Sequence, residues 1–185
     1  MNKISGWLIR LSKGWLVVVS IIVFVLFMIF VLPGQSAKAE QYAQGSGSPD
    51  TSFYYTPEKL FELAETYGAD GRQAYVRARF SFDLIFPLVY GLFLLTTISW
   101  LAGRGFDLDS RWRNLTLIPI VGVIFDLLEN TSTSLVMLGF PQRRLLAAQL
   151  ASIFTLLKWT FVYGSFIVLV IVFIIWIYKK LKHGS

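Results

Sequence analysis

Four ionisable residues stand inside long apolar stretches of this chain: Asp83, Asp126, Glu129 and Lys158. A charge at the bilayer centre costs about 2.5–3.5 kcal/mol on insertion scales, so such residues pair, line a cavity or mark a site. Asp126, Glu129 and Asn130 fall at i, i+3 and i+4, which puts them on one helix face, and Thr133 extends that face. Gln149, Ser152, Thr155 and Lys158 recur every third residue, and Asp83 and Tyr90 lie two turns apart. At ~1.5 Å per residue, Asp126 stands ~17 Å above the inner end of its stretch, Tyr90 ~18 Å and Tyr163 ~22 Å. The candidate ligand-binding set is therefore Asp83, Tyr90, Asp126, Glu129, Asn130, Thr155, Lys158 and Tyr163, all in the outer half of a bundle.

That set admits several chemistries. It can hold a lipid headgroup or small amphiphile, carry a proton or ion through Asp126 and Glu129, or supply an acid/base pair to an isomerase- or hydrolase-like intramembrane enzyme. It can also be internal glue: Asp83 pairs with Arg79 at i, i+4, and Glu129 accepts a bond from Asn130 or Lys158. Oxygen ligands for a metal are present, but nothing in the spacing fixes a coordination geometry. No metal or cofactor and no catalytic residue is assigned. The chain has no cysteine, and its single histidine, His183, lies in the last three residues. Thiolate sites, His-ligated haem and a Ser–His–Asp triad are thereby excluded. Phosphate loops, nucleophile elbows and HExxH are missing from the sequence.

The elements that must position these residues are membrane spans. Of the 185 residues, 55% are hydrophobic and 15% charged, against about 45–50% and about 25% in soluble domains. Four apolar runs predict spans at about 15–32, 80–102, 115–140 and 145–178. The expected fold is an all-α, polytopic four-helix bundle forming one membrane domain over 1–185. Pro33-Gly34 is read as the end of the first span, and Pro87 and Pro119 as interior prolines whose freed carbonyls neighbouring helices satisfy. Lys3, Arg10, Lys13 and the Ala37-Lys38-Ala39 pattern also fit a cleavable signal peptide. The 18-residue run exceeds the usual ~7–15-residue core of one, so the reading is an uncleaved anchor.

One sizeable loop, 35–79, joins the first two spans. Gln35 to Pro49 reads as a flexible linker. Thr56-Pro57-Glu58 signals a helix start, Leu60, Phe61, Ala64 and Tyr67 an apolar face, and Gly68 a stop. An amphipathic helix at about 57–67 is predicted, packed on the bundle or lying in the interface, with a lid over the polar set as the functional alternative. Asp70-Gly71 is read as a turn, with helix from Arg72 into the second span. Basic residues around the first span place both termini in the cytoplasm. Arg72, Arg77, Arg79, Arg143 and Arg144 then fall outside, ringing the mouth of the pocket and favouring an anionic group. The net charge of +6 is read as basic residues flanking spans, not as a nucleic-acid footprint.

The segments Tyr55-Thr56-Pro57-Glu58, Gly71-Arg72-Gln73-Ala74-Tyr75, Asp83 to Gly91 (DLIFPLVYG), Phe125 to Asn130 (FDLLEN) and Phe154 to Trp159 together resemble a family of small bacterial four-span inner-membrane proteins of unassigned activity. The resemblance covers roughly residues 54–160 and implies a bacterial inner-membrane location. The span count gives a fold-level analogy to emopamil-binding and sigma-2-like proteins, whose sequence pattern does not match. The leading expectation is a non-catalytic protein with an outward-facing polar pocket and membrane lipid as partner. Ion transport, an accessory-subunit role beside other membrane proteins, and intramembrane catalysis are the alternatives.

Overall fold

The computed structural model describes residues 3–43 and 45–183. It is 87% helical with no strand among the described residues, and four of its helical stretches are long and apolar enough to cross a membrane. The protein is an all-α polytopic bundle.

A short helix, α1 (Lys3–Leu11), precedes the first span. Lys13 is extended, with φ −81° and ψ 152°, and so breaks α1 from α2 (Gly14–Leu26). The expected end at Pro33-Gly34 does not occur. A π turn, Phe27–Val31, leads directly into α3 (Leu32–Ala43), giving one rod over Gly14–Ala43. The Leu32 N–H bonds the Phe27 carbonyl five residues back. Widening the turn just before Pro33 accommodates a ring that cannot donate to the ladder. Residues 35–43, read as linker, are therefore helical.

A single 3₁₀ turn, Pro49–Thr51, leads to α4 (Pro57–Thr66). The N-cap is as expected: Lys59 N–H donates to the Thr56 hydroxyl at 3.2 Å. Gly68, at φ +63°, separates α4 from α5 (Gly68–Arg79). Asp70-Gly71 is not a turn but lies within α5. A Cβ on Gly71 would stand 3.1 Å from Tyr67 Cβ and 3.3 Å from the Tyr42 carbonyl, so the glycine permits close approach of α5 to α3. The chain breaks again at Phe80-Ser81 before α6 (Phe82–Gly105). A 3₁₀ segment, Arg111–Leu117, precedes α7 (Ile118–Gly139), placing Pro119 in its first turn rather than at an interior kink. The fourth span is one 39-residue helix, α8 (Leu145–His183), about 58 Å long at ~1.5 Å per residue.

The antiparallel pair α7–α8 makes the most extensive contact, α6 packs on both, and α2 joins chiefly through α6. Gly91 faces Val123, and a Cβ on Gly122 would meet Val162 at 3.3 Å; small residues let spans approach closely. At the end carrying residues 45–79, Leu60, Phe61, Leu63 and Ala64 of α4 are buried with Val136, Met137, Ala148 and Ala151. Each large side chain so buried contributes about 1.5–3 kcal/mol. This apolar seam holds the loop region on the tips of α7 and α8.

Candidate functional site

Glu129 is fully buried on α7, and Lys158 on α8 is 4% exposed. Their side chains form an ion pair. The Thr155 hydroxyl, one turn before Lys158, also donates to Glu129, and the Tyr55 hydroxyl donates to Glu129 Oε1 at 3.3 Å. Burial and then the Glu129 charge push the Tyr55 pKa far up, so it serves as a neutral donor. The Lys158 ammonium also lies 4.9 Å from the Trp159 ring centroid, a cation–π contact.

One turn earlier on α7, Asp126 accepts from the Tyr90 hydroxyl at 2.8 Å and from the Asn130 amide at 3.4 Å. The same amide nitrogen donates to the Asp83 carbonyl at 3.0 Å. Asp83 is four residues before Pro87, so this is the carbonyl that Pro87 leaves without its helical donor. The expected repair of an interior proline by a neighbouring span is thus made by Asn130.

Arg79 completes the cluster. It is 5% exposed, pairs with Asp83 at 2.6 Å and with Asp50, and lies 4.5 Å over the Tyr75 ring. Asp50, reached from the loop, also accepts from the Ser48 hydroxyl at 3.0 Å. Trp159 Nε1 donates to the Ser52 carbonyl at 2.9 Å. The loop is closed further by the Tyr67 hydroxyl, which donates to the Gly47 carbonyl at 2.7 Å; burial pushes its pKa up as well.

Seven of the eight predicted residues therefore converge: Asp83, Tyr90, Asp126, Glu129, Asn130, Thr155 and Lys158. Tyr163 does not. It is 53% exposed and stacks outside the cluster on Trp159 and Phe53. Of the two roles expected for the 57–67 helix, packing on the bundle is the one observed. The apolar face of α4 packs on apolar surface, whereas residues 48–56 supply the polar groups that cover the ions. Sequence reasoning missed Asp50 and Tyr55, whose partners lie 29 and 74 positions away.

The expected ring of arginines does not form. Arg72 donates to the Ala64 carbonyl at 2.8 Å and lies over Phe140. Arg143 lies over Phe61, Arg144 packs against Gly139, and Arg79 is internal. Arg77 alone faces an open groove, of ≈ 940 Å³, between α3 and α5. Gln35, Lys38, Tyr42, Asp70 and Ser81 also line it. Lys38 and Arg77 are exposed, and neither has an ion-pair partner among the described residues.

Both cations of the cluster are thus answered, Lys158 by Glu129 and Arg79 by Asp83 and Asp50, and Asp126 is held by the Tyr90 hydroxyl and the Asn130 amide, while exposed cations without an ion-pair partner line the groove beside it. Family models, curated proteins and solved structures hold no match to this chain, so its function must be read from this division of charge.

Proposed function

We propose that this chain is a non-catalytic membrane protein that binds a lipid through its headgroup, in the groove between α3 and α5, and that the ion cluster is the structural anchor of the adjoining loop. The observation that carries the reading is the pair of unanswered cations, Lys38 and Arg77, in an open groove at headgroup depth. Counted from Gly14 at ~1.5 Å per residue, Gln35 to Tyr42 stand ~32–42 Å along the rod, just beyond ~30 Å of hydrocarbon. Below the groove, along the α2–α6 seam, Phe27 stacks on Phe82 and Phe86 at 5.5 and 5.6 Å, an apolar wall for acyl chains. Lysine and arginine suit a phosphate oxygen, and the Gln35 amide suits a polar headgroup.

In this reading the location is a bacterial inner membrane, with both termini cytoplasmic and residues 45–79 outside. Cysteines introduced singly at Ser48 and Ser110 should label from opposite sides of the membrane. Labelling of both from one side by an impermeant reagent would overturn the topology.

The site itself is tested by melting with and without added anionic phospholipid. A ligand present at about 100 times its Kd stabilises the native state by about 2.7 kcal/mol. The Lys38→Gln/Arg77→Gln variant should lose that shift, and Glu129→Gln/Lys158→Met should keep it. The reverse pattern would move the lipid from the groove to the cluster.

A further inference from the structure

At the opposite end of the bundle, α1 carries a face that the protein does not cover. Ser5 and Gly6 are buried, and Ser5 donates to the Arg113 carbonyl at 2.6 Å while accepting from Thr116 at 3.3 Å. Ile9 packs against Gly103 at the end of α6. These contacts lay α1 against the ends of α6 and of the 3₁₀ segment before α7, turned away from α2 by the break at Lys13. The other side presents Ile4, Trp7 and Leu11 at i, i+3 and i+7, which are 54%, 54% and 46% exposed. Trp15 and Trp112, at the same end, are 62% and 64% exposed. Lys3, Arg10 and Lys13 are exposed on and beside α1, and Arg104 and Arg111 beside its contacts.

We infer that α1 is an interfacial helix that docks its Ile4–Trp7–Leu11 face into the bilayer and binds the anionic lipid surface of that leaflet through Lys3, Arg10 and Lys13. Under the topology proposed above this is the cytoplasmic leaflet. The occupant follows from three features together. Exposed tryptophans at one level mark a membrane–water boundary. An apolar stripe flanked by bases is the pattern of a helix lying in that boundary. The bases supply the complement of an anionic surface, on the order of 1 kcal/mol per residue, or about fivefold. A second copy of the chain would bring the same three bases face to face, which disfavours that occupant.

The chain has no cysteine, so a single Trp7→Cys change gives one unique label on the full-length protein in nanodiscs. A fluorophore there should be quenched by brominated lipid and shielded from iodide. Brominated phosphatidylglycerol should quench more than brominated phosphatidylcholine at equal bulk fraction. Lys3→Gln, Arg10→Gln and Lys13→Gln should each lower that preference by about fivefold, while Lys3→Arg/Lys13→Arg should retain it. A label open to iodide in both lipids would overturn the inference. So would a label shielded by a second copy, seen as a short spin-label separation that vanishes on dilution into excess nanodiscs.

Discussion

The loop-side half of the bundle and the far half bury polar groups in opposite ways. Inside the far-half spans the buried groups are hydroxyls, and three of them bond within their own helix: Thr96 to the Leu92 carbonyl at 2.8 Å, Ser165 to Phe161 at 2.7 Å, Ser20 to Val17 at 2.9 Å; the buried Arg113 lies beyond them in the 3₁₀ segment, donating to the Gly103 carbonyl at 3.3 Å. Ser20 and Thr96 also bond to each other there, between spans, at 2.8 Å. In the loop-side half hydroxyls such as Thr133 and Ser152 again bond within their own helix, but ions and an amide are buried beside them, and these take partners from other elements. Glu129–Lys158 joins α7 to α8, Tyr90–Asp126 and Asn130–Asp83 join α6 to α7, and Arg79–Asp50 ties α5 to the loop. A hydroxyl can be satisfied locally; a buried carboxylate requires a tertiary partner. The ions thus specify which elements meet, while the fully buried Leu94 and Ile98, packed with Val162, seal the layer beneath Tyr90. That apolar packing is the physical argument against an ion path through Asp126.

The contrast can be broken most severely at the Glu129–Lys158 pair. Glu129→Gln or Lys158→Met alone leaves one buried charge unanswered and should destabilise by about 3–5 kcal/mol. The double variant should recover more than half of that loss in a denaturant-unfolding cycle, because an apolar replacement of a buried pair is often near neutral. A double variant no more stable than either single would show that the pair does not act as a unit.

A smaller effect is expected at the loop latch. Asp50→Asn leaves Arg79 with Asp83 alone and should cost about 1.5–3 kcal/mol, the range for a bond to a charged group. Cleavage by a protease within residues 45–56 should accelerate while the spans stay intact; unchanged cleavage would mean that Trp159 and Tyr55 suffice to hold the loop.

Asn130→Leu removes the donor to the Asp83 carbonyl and should cost about 0.6–1.7 kcal/mol, typical of a bond between spans. Pro87→Ala in that background restores a backbone N–H and should recover part of the loss. Absence of any rescue would assign the Asn130 effect to Asp126 instead. Smallest of all, Ser20→Ala with Thr96→Val in the far half should change stability by about 0.6 kcal/mol or less. A loss as large as the Asp50 effect would erase the distinction between the halves.

The spans, the common face of Asp126, Glu129 and Asn130, the Thr56 cap and the proline repair were legible because each rests on spacing within one helix or on a local backbone rule. What was not legible depends on long-range packing. Asp50 and Tyr55 sit in a stretch that reads as polar loop, and only the fold brings them to Arg79 and Glu129. Asp70-Gly71 carries turn residues, yet Gly71 serves a close helix–helix approach. The 3–11 segment reads as a basic flank, and its helix becomes evident only where Ser5 and Ile9 meet α6 and the segment before α7. The arginine ring failed because depth alone does not tell a rim position from one aimed at a neighbouring aromatic ring or carboxylate.

The π turn at Phe27–Val31 sets the rotational phase of everything beyond it. It interposes one residue into an otherwise regular helix, and one residue is about 100° of rotation. Lys38 and Tyr42 face α5 only in that phase, with the Tyr42 ring meeting Tyr67 and Tyr75 edge-on at 5.5 and 6.3 Å. Removing a single residue from 27–31 would leave composition and span length almost untouched. It would also turn the groove's cationic wall a quarter-circle out of register, making this short, wide turn the indexing element of the first span.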